Sequence, residues 1–340
     1  MGRRIVAVIL VVLAISIAIM TPVLALTPVG SSLLNSLAAA NPTETPTPAP
    51  LILPTPTPSR PVLTVVGQPP AVNARAAYLL DAGTGNTLDD FHGEIPLPMA
   101  STTKIMTAII AIQTTSPDLV ITIHQDALDE VSANGGSSAD LVVGDRLTLK
   151  DLLYGLMLPS GDDAAIAIAD AISGSPDKFV NVMNILAYRL HLYQTHYINP
   201  DGLTYYSAPN TPLPGHYTTA YDLVRLAQYA MALPLFAQIV KTGYYNLPAT
   251  TSHHAYKWVN TNDLLGTHPT EFPSYAGVTG IKTGFTTEAG YCLVFSATRS
   301  GHNLIGVVLF DTNTNTVQRF HDAQTLLSWG FGLPLKIPNP

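Results

Sequence analysis

The order of strand and helix signals along the chain sets the narrowest limits on its fold. The apolar run from Ala76 to Leu80 is followed by two turn residues, Gly83 and Gly85, which predicts a β-hairpin. From about Leu147 to Met231 apolar residues recur mostly at helical spacing. The runs "GIKTGFT", "GYCLVFSAT" and "NLIGVVLF" then read as short strands before a last helix. Strands at both ends of a mostly helical middle predict an α+β domain whose sheet is built from its two extremities.

A run of alternating Thr and Pro precedes this domain. From Asn41 to Pro61 the chain reads "NPTETPTPAPLILPTPTPSRP". Each proline fixes φ and removes a backbone donor, so neither helix nor sheet can propagate through the run, which therefore acts as an extended spacer. We predict a linker over residues 27–70, one domain over residues 71–333 and a short tail over residues 334–340.

The first residues have the pattern of an export segment. Arg3 and Arg4 precede an uncharged apolar run that extends from Ile5 to Met20. We predict that residues 1–26 are either a signal peptide, with Ala25 at the cleavage position, or an uncleaved membrane anchor. In both cases the arginines stay cytoplasmic and the rest of the chain lies outside, either anchored to the membrane or secreted.

Composition excludes several classes of function. Charged residues make up only 11% of the 340 residues and the net charge is −7, so the chain has no broad basic face that would bind nucleic acid. A single cysteine, Cys292, excludes an intrachain disulfide framework and a cysteine-based zinc cluster. His253 and His254 are adjacent but lack any metal-binding motif, so we predict no metal site.

The tripeptide Lys-Thr-Gly occurs twice, beginning at Lys241 and at Lys282. The first copy follows a predicted helix and reads as its end, where a cation is favourable. The second copy lies on a predicted strand, in "GIKTGFTTEAGYCLV". Only the second copy is a candidate for a binding site.

Two further segments carry nucleophile and acid–base chemistry. "PMASTTK" places Ser101 and Lys104 three residues apart where a helix is predicted to begin, so their side chains share one face. A serine hydroxyl becomes nucleophilic when a base removes its proton, and a lysine serves as that base when its surroundings favour the neutral amine. "LMLPSGDDAA" places Ser160 in a short break between apolar helices, where its hydroxyl can pass a proton to a leaving amine.

In this order, Ser-x-x-Lys, Ser-Gly-x and Lys-Thr-Gly resemble the motif set of penicillin-binding proteins and class A β-lactamases. The chain resembles the D-alanyl-D-alanine carboxypeptidases of the low-molecular-mass penicillin-binding proteins. The likeness extends over about Ala76 to Phe331, in segments such as "GSSADLVVGDRLTLKDLLYGLMLPSGDDAA", "NPDGL" and "HYTTAYDLVRLAQYA". It implies the β-lactamase/transpeptidase-like fold, with an antiparallel sheet built from both ends of the domain. It also implies a peptidoglycan stem peptide as substrate, β-lactams as covalent inhibitors, and no cofactor.

The resemblance assigns roles by motif. Ser101 would be the acylated nucleophile, Lys104 its base and Ser160 the proton shuttle.

The third motif and a later arginine would bind the substrate. Lys282 and Thr283 would hold its terminal carboxylate, and Arg319 would add positive charge nearby. Gly284 would let the strand approach the peptide, and the N–H of Phe285 would form an oxyanion hole with the nucleophile's own N–H.

Asp162 departs from the family pattern, which has an asparagine at this position. A carboxylate only accepts hydrogen bonds, and an anion near Lys104 favours the charged ammonium over the neutral base. We therefore expect a slowed enzyme that removes the terminal D-alanine of stem peptides through an acyl-enzyme on Ser101. The alternatives are a D,D-endopeptidase and a catalytically weakened wall-binding relative. A β-lactamase is disfavoured because Glu271, the only glutamate between the second and third motifs, lacks the lactamase context.

Overall fold

The computed structural model describes residues 61–312 and 314–337. The predicted export segment, residues 1–26, and the linker as far as residue 60 lie outside the described residues. The described part begins with β1 (Val62–Leu63), which pairs with the last strand, β13 (Leu335–Lys336). This pair lies just beyond both limits of the predicted domain, 71–333.

The strands between these two ends form one large sheet and several short pairs. They are β2 (Ala76–Asp81), β3 (Asn86–Phe91), β4 (Val120–Thr122), β5 (Arg146–Thr148), β6 (Tyr206–Ala208), β7 (Thr211–Pro212), β8 (Tyr244–Leu247), β9 (Tyr256–Val259), β10 (Val278–Thr286), β11 (Gly290–Arg299) and β12 (His302–Leu309). The large sheet has the order β10-β11-β12-β2-β3, and every neighbouring pair is antiparallel. Its two N-terminal strands therefore join three strands from the end of the domain, as predicted.

Most of the helices lie in the part of the chain between β3 and β10. A short 3-10 helix (Ala100–Thr103) leads into α1 (Lys104–Thr114), and there follow α2 (Gln125–Asn134), α3 (Leu149–Met157), α4 (Asp162–Ser173), α5 (Pro176–Arg189), α6 (Ala220–Met231), α7 (Pro234–Val240) and, after the sheet, α8 (Gln318–Phe331). Several begin at a side-chain cap: the Thr219 hydroxyl accepts a hydrogen bond from the backbone N–H of Asp222 at 3.0 Å. Such caps explain why polar residues interrupt apolar segments where these helices begin.

The core lies on both faces of the sheet. Along β2, Tyr78 and Leu80 belong to the larger cluster, which includes α1, α3, α4 and α6, whereas Leu79 faces the smaller cluster with α8. This alternation follows from the two-residue period of a strand, and both faces are apolar because helices cover both. The α+β prediction is confirmed.

Helix α1 runs through the larger cluster. Eight of its residues, from Lys104 to Ala111, are buried. Lys104, the first residue of this helix, therefore lies in the protein interior, where a lysine is almost never found unless it is paired.

Among the described residues, no single helix is long and apolar enough to cross a membrane. Helices α6 and α7 reach that length and composition only when taken together, and they are bent by 108° at their junction.

Candidate active site

Ser101 and Lys104 are in direct contact. The Nζ of Lys104 donates a hydrogen bond to the Oγ of Ser101 over 3.0 Å. Ser101 lies in the 3-10 helix that precedes α1, where residues three apart stand directly above one another. The preceding residue, Ala100, has a φ of 47°, a left-handed conformation that costs a non-glycine residue of order 1–3 kcal/mol and is often found at functional sites.

The amine of Lys104 has two further acceptors. It donates to Oδ1 of Asp162 over 2.5 Å and to the backbone carbonyl of Asp201 over 2.7 Å. Three acceptors match the three N–H groups of an ammonium, so this geometry fits charged Lys104. A base must have a free lone pair, and Lys104 therefore has to lose a proton before it can activate Ser101.

Asp162 is a fully buried carboxylate at the first position of α4. Burial raises its pKa, and the charge and hydrogen bond of Lys104 oppose that shift. Its Oδ2 has no hydrogen-bond partner among the described residues. A Cβ on Gly136 would lie 2.0 Å from this oxygen, so the loop after α2 can pass over Asp162 only because residue 136 has no side chain.

Asp163 is close in sequence to Asp162 but differs in function. Its carboxylate accepts hydrogen bonds from the backbone N–H groups of Ala139 and Leu141 and from the hydroxyl of Ser138. Asp163 therefore holds in place the segment that follows Gly136, and it does not contact Lys104.

Ser160 lies between α3 and α4 with a φ of 70°. Its Oγ has no hydrogen-bond partner among the described residues, although its side chain lines the same cavity as Ser101. A left-handed serine with an unpaired hydroxyl is strained and unsatisfied, which is typical of groups kept ready for a substrate.

The third motif lies on β10. Lys282 is 1% exposed, and its Nζ has no hydrogen-bond partner among the described residues. Burial and the charge of Lys104 hold the pKa of Lys282 well below its ordinary value, against the opposing effect of Asp162. The Thr283 hydroxyl lines the cavity and is 2.6 Å from the hydroxyl of Thr261.

Gly284 allows β10 to approach the nucleophile. A Cβ at this position would lie 3.2 Å from the backbone nitrogen of Ser101 and from the Cβ of Ala100. Phe285 follows on the strand and is 45% exposed, with its ring stacked on Tyr291. The strand therefore forms one wall of the cavity beside Ser101.

Arg319 reaches the cavity from α8. Its Nη1 donates to the carbonyl of Gly284 over 3.2 Å, and its guanidinium lies 5.0 Å from the centre of the Tyr291 ring. Burial lowers its pKa, yet an arginine stays protonated in proteins, so it brings positive charge to the site. This placement differs from that of a solvated arginine on a helix surface.

The side chains described above, except those of Lys104, Lys282 and Asp163, line one cavity of about 300 Å³. Its lining residues are Ser101, Gly135, Gly136, Ser137, Ser160, Asp162, Leu203, Thr261, Thr283, Gly284, Phe285, Tyr291 and Arg319. The lysines lie in its walls, fully buried. The cavity thus joins a nucleophile, basic side chains and the unsatisfied hydroxyl of Ser160, which is a suitable arrangement for acyl transfer to a serine.

Residues set aside from the sequence lie elsewhere. Lys241 is exposed directly after α7, and Cys292 is a buried thiol on β11. His254 is exposed and contacts Asp145. Glu271 is exposed and does not line the cavity.

The sequence analysis missed the contribution of Asp201. Its carbonyl accepts from Lys104, and burial, followed by the charge of Asp162, raises its carboxyl pKa to about 7. The segment "NPDGL" predicts a turn, but it does not show that this turn contacts Lys104, because 97 residues separate Lys104 from Asp201. Thr261 was missed for the same reason.

Comparison with known proteins agrees with this geometry. A family model described as D-alanyl-D-alanine carboxypeptidase matches residues 64–313. The D-alanyl-D-alanine carboxypeptidase of Streptomyces sp. (strain K15) is 39% identical over 276 residues, which cover 78% of this chain and 89% of that protein. The D-alanyl-D-alanine endopeptidase of Pseudomonas aeruginosa is 30% identical over 257 residues, 75% of this chain and 76% of that protein.

The fold also matches that of a solved structure. The crystal structure of the Streptomyces K15 DD-transpeptidase matches with a TM-score of 0.70 and 37% identity, covering 78% of this chain and 100% of that one. The chain spans between 57% and 66% of the length of the carboxypeptidases that it matches in Bacillus subtilis and Escherichia coli K12. Because the family model covers most of the chain and the fold agrees, the chain belongs to the D-alanyl-D-alanine carboxypeptidase family of serine peptidases.

Proposed function

We propose that the protein removes the terminal D-alanine from peptidoglycan stem peptides through an acyl-enzyme on Ser101. The observation that carries this proposal is the 3.0 Å hydrogen bond from Lys104 to Ser101. Ser101 lines a cavity that is also lined by the positively charged Arg319. Family membership supports the same activity, and it also supports peptidoglycan as the polymer acted on and a location outside the cytoplasm.

In the acylation step, Lys104 first gives up a proton, and its neutral amine then takes the proton of Ser101. The Oγ of Ser101 attacks the carbonyl carbon of the penultimate D-alanine. The C–N bond breaks, and the departing amine takes a proton through Ser160, whose hydroxyl is free to donate. The released product is D-alanine, and water later hydrolyses the ester.

Binding of the terminal carboxylate orients the substrate. Thr283 and Arg319 line the cavity and offer a hydroxyl and a guanidinium. Lys282 acts from the wall, where an entering carboxylate would favour its charged form. The N–H groups of Ser101 and Phe285 would stabilise the negative oxygen that forms during attack.

Labelled penicillin tests the proposal. We expect the full-length protein in detergent to form a long-lived adduct that peptide mapping places on Ser101, because none of the described residues that line the cavity is a glutamate that could speed hydrolysis. Ser101→Ala should form none, and Ser132→Ala, at an exposed helix position, should react normally. Absence of the adduct, or its turnover within seconds, would contradict the carboxypeptidase assignment.

A D,D-endopeptidase is a second candidate, favoured by the similarity to the Pseudomonas aeruginosa enzyme of that name. Both reactions use the same groups and differ in the leaving amine. Parallel assays with a pentapeptide and a cross-linked dimer would separate them. Release of free D-alanine alone would favour the carboxypeptidase.

A further inference from the structure

A buried carboxyl group that the proposed reaction does not use lies near Arg319. It belongs to Asp311, which follows the end of β12 and is 6% exposed. The backbone N–H of Asp311 donates to the carbonyl of Tyr291 on β11, and the N–H of Tyr291 donates to the carbonyl of Thr312. Tyr291 lines the catalytic cavity, and the guanidinium of Arg319 lies over its ring. The backbone therefore fixes Asp311 opposite the residue that Arg319 covers.

The acidic neighbour of Asp311 is Asp322 on α8. The carboxylate of Asp322 accepts hydrogen bonds from the backbone N–H groups of Asn73 and Ala74 and from the side-chain amides of Asn73 and Gln318. Both of its oxygens are therefore occupied as acceptors. Neither oxygen of Asp311, by contrast, has a hydrogen-bond donor among the described residues.

The two carboxyl groups share a proton. Asp311 lies within hydrogen-bond reach of Asp322, and such a bond needs a proton on one of the two groups. The proton belongs to Asp311, because Asp322 already accepts from N–H donors. Burial, followed by the charge of Asp322, raises the pKa of Asp311 to about 7, against the opposing charge of Arg319. Asp311 is therefore a neutral acid in mildly acidic solution and an anion in mildly alkaline solution.

Arg319 has a donor that is not used. Its Nη1 donates to the carbonyl of Gly284, but its Nε is buried without a hydrogen-bond partner among the described residues. The charge of Asp311 favours the protonated guanidinium, just as Arg319 favours ionised Asp311. An acceptor that lacks a donor thus faces a cation that has a donor to spare.

Titratable groups on other elements also face Arg319. Burial raises the pKa of the Cys292 thiol to about 11, so this group on β11 stays neutral. The charge of Asp263, in the 3-10 turn Asp263–Leu265, favours charged Arg319, and its carboxylate contacts His268. Lys282 on β10 is a second cation near Arg319, and its pKa is also lowered. A test of Asp311 has to separate its effect from that of Lys282.

We propose that Asp311 is a positioning residue that controls, through Arg319, how strongly the site binds the terminal carboxylate of the substrate. When Asp311 is protonated, the charge of Arg319 is available to the cavity. When Asp311 is ionised, it competes with the substrate for Arg319. This inference rests on the proposed function, in which Arg319 binds that carboxylate, and it adds a control of substrate recognition by pH.

Two peptides that differ only at the C-terminus test the inference. One is an Nα-acetylated peptide that ends in D-alanyl-D-alanine, and the other is the same peptide with its terminal carboxylate amidated. The ratio of their kcat/KM values, acid over amide, isolates the contribution of the carboxylate, because deprotonation of Lys104 affects both peptides alike. We expect the wild-type ratio to fall by about fivefold between pH 6 and pH 8.5, as one new charge beside a guanidinium in an open cavity allows. The fall should appear in the KM of the acid peptide, since Arg319 acts on binding.

Asp311→Asn should lose most of this fall, because its amide is neutral at every pH and can still donate to Asp322. A small fall that both proteins share belongs to Lys282. Asp118→Asn, at an exposed position, should keep the full wild-type fall. A wild-type ratio that does not change with pH, or an undiminished fall in Asp311→Asn, would overturn the inference.

Acylation by penicillin separates this result from failure of the proposed function. At pH 6, where Asp311 is protonated, the wild type and Asp311→Asn should be acylated at Ser101 at equal rates, which shows that both fold. A wild type that releases D-alanine with a ratio independent of Asp311 loses only this inference. A wild type that neither acylates at Ser101 nor releases D-alanine loses the proposed function and this inference with it. If Asp311→Asn fails to fold, Asp311→Ser, which is also neutral and can donate to Asp322, is judged by the same criteria.

Discussion

Lys104 and Asp162 form an ion pair in which Nζ and Oδ1 are 2.5 Å apart, and neither side chain is more than 1% exposed. Removing one partner of such a buried pair typically destabilises a protein by about 3–5 kcal/mol, because the other charge is left unpaired. The pair joins α1 to α4. It also stabilises the ammonium form of the residue that has to act as a base, which links the fold to the reaction rate.

Asp162→Asn should raise the carboxypeptidase rate at pH 7 by about tenfold and move the pH optimum downward. The amide oxygen can still accept from Lys104, but the negative charge that favours the ammonium is gone. Without that charge, the neutral amine that the reaction needs is less disfavoured. A pH–rate profile of kcat/KM measures both effects, with Asp118→Asn, at an exposed position, as the control. A lower rate at every pH would show that the carboxylate itself takes part in the reaction.

Lys282→Ala should abolish peptide cleavage, whereas Lys241→Ala should leave it nearly unchanged. Both residues begin a Lys-Thr-Gly tripeptide, but Lys282 is buried in the cavity wall and Lys241 is exposed after α7. The comparison therefore uses one tripeptide in two environments. Steady-state kinetics of D-alanine release measures the activity of both variants. Equal losses of activity would contradict the assignment of Lys282 to the site.

Gly136→Ala should lower activity strongly, since its Cβ would lie 2.0 Å from Oδ2 of Asp162 and 2.9 Å from Leu203. The clash displaces either the loop or the carboxylate that pairs with Lys104. Gly83→Ala, where the nearest atom is 3.4 Å away, serves as the control. Penicillin acylation rates of both variants measure the effect, and a normal rate for Gly136→Ala would show that the loop moves aside freely.

The lowered pKa of His216 predicts that the folded protein loses stability in acid. Burial lowers its pKa from 6.5 to about 3, so between these values the unfolded chain binds a proton that the folded chain does not. The free energy of unfolding should then fall by about 1.4 kcal/mol for each pH unit in this range. His216→Asn should be less stable at pH 7 but show a shallower slope, and His92→Asn, at an exposed position, should keep the wild-type slope. Urea unfolding at pH 7 and pH 5 provides the comparison, and equal slopes in all three would contradict it.

If the segment from Ile5 to Leu26 is an uncleaved anchor rather than a signal peptide, the protein should fractionate with membranes. High salt should not release it, because the attachment is hydrophobic and salt screens only charges. Fractionation followed by N-terminal sequencing measures this. A soluble form that begins near Leu26 would show cleavage by a signal peptidase.

The sequence by itself determined every feature that depends on neighbouring residues. Ser101 and Lys104 share a face because three residues separate them at a helix start, and the contact is local. The hairpin of β2 and β3 follows from the apolar run Ala76 to Leu80 and the turn glycines after it, and the end of α7 at Lys241 could also be predicted from the sequence. The resemblance of three motifs then predicted the family and the fold.

Only the tertiary structure decided contacts between distant segments. The sequence shows that Asp162 is a carboxylate, but not that it is buried against Lys104, 58 residues away. It does not show that Arg319 reaches Gly284 from the last helix, or that Glu288 and Ala100 line the same cavity. Charge state, burial and cavity shape depend on which distant segments pack together. That packing forms on the two faces of the sheet only when the whole domain has folded.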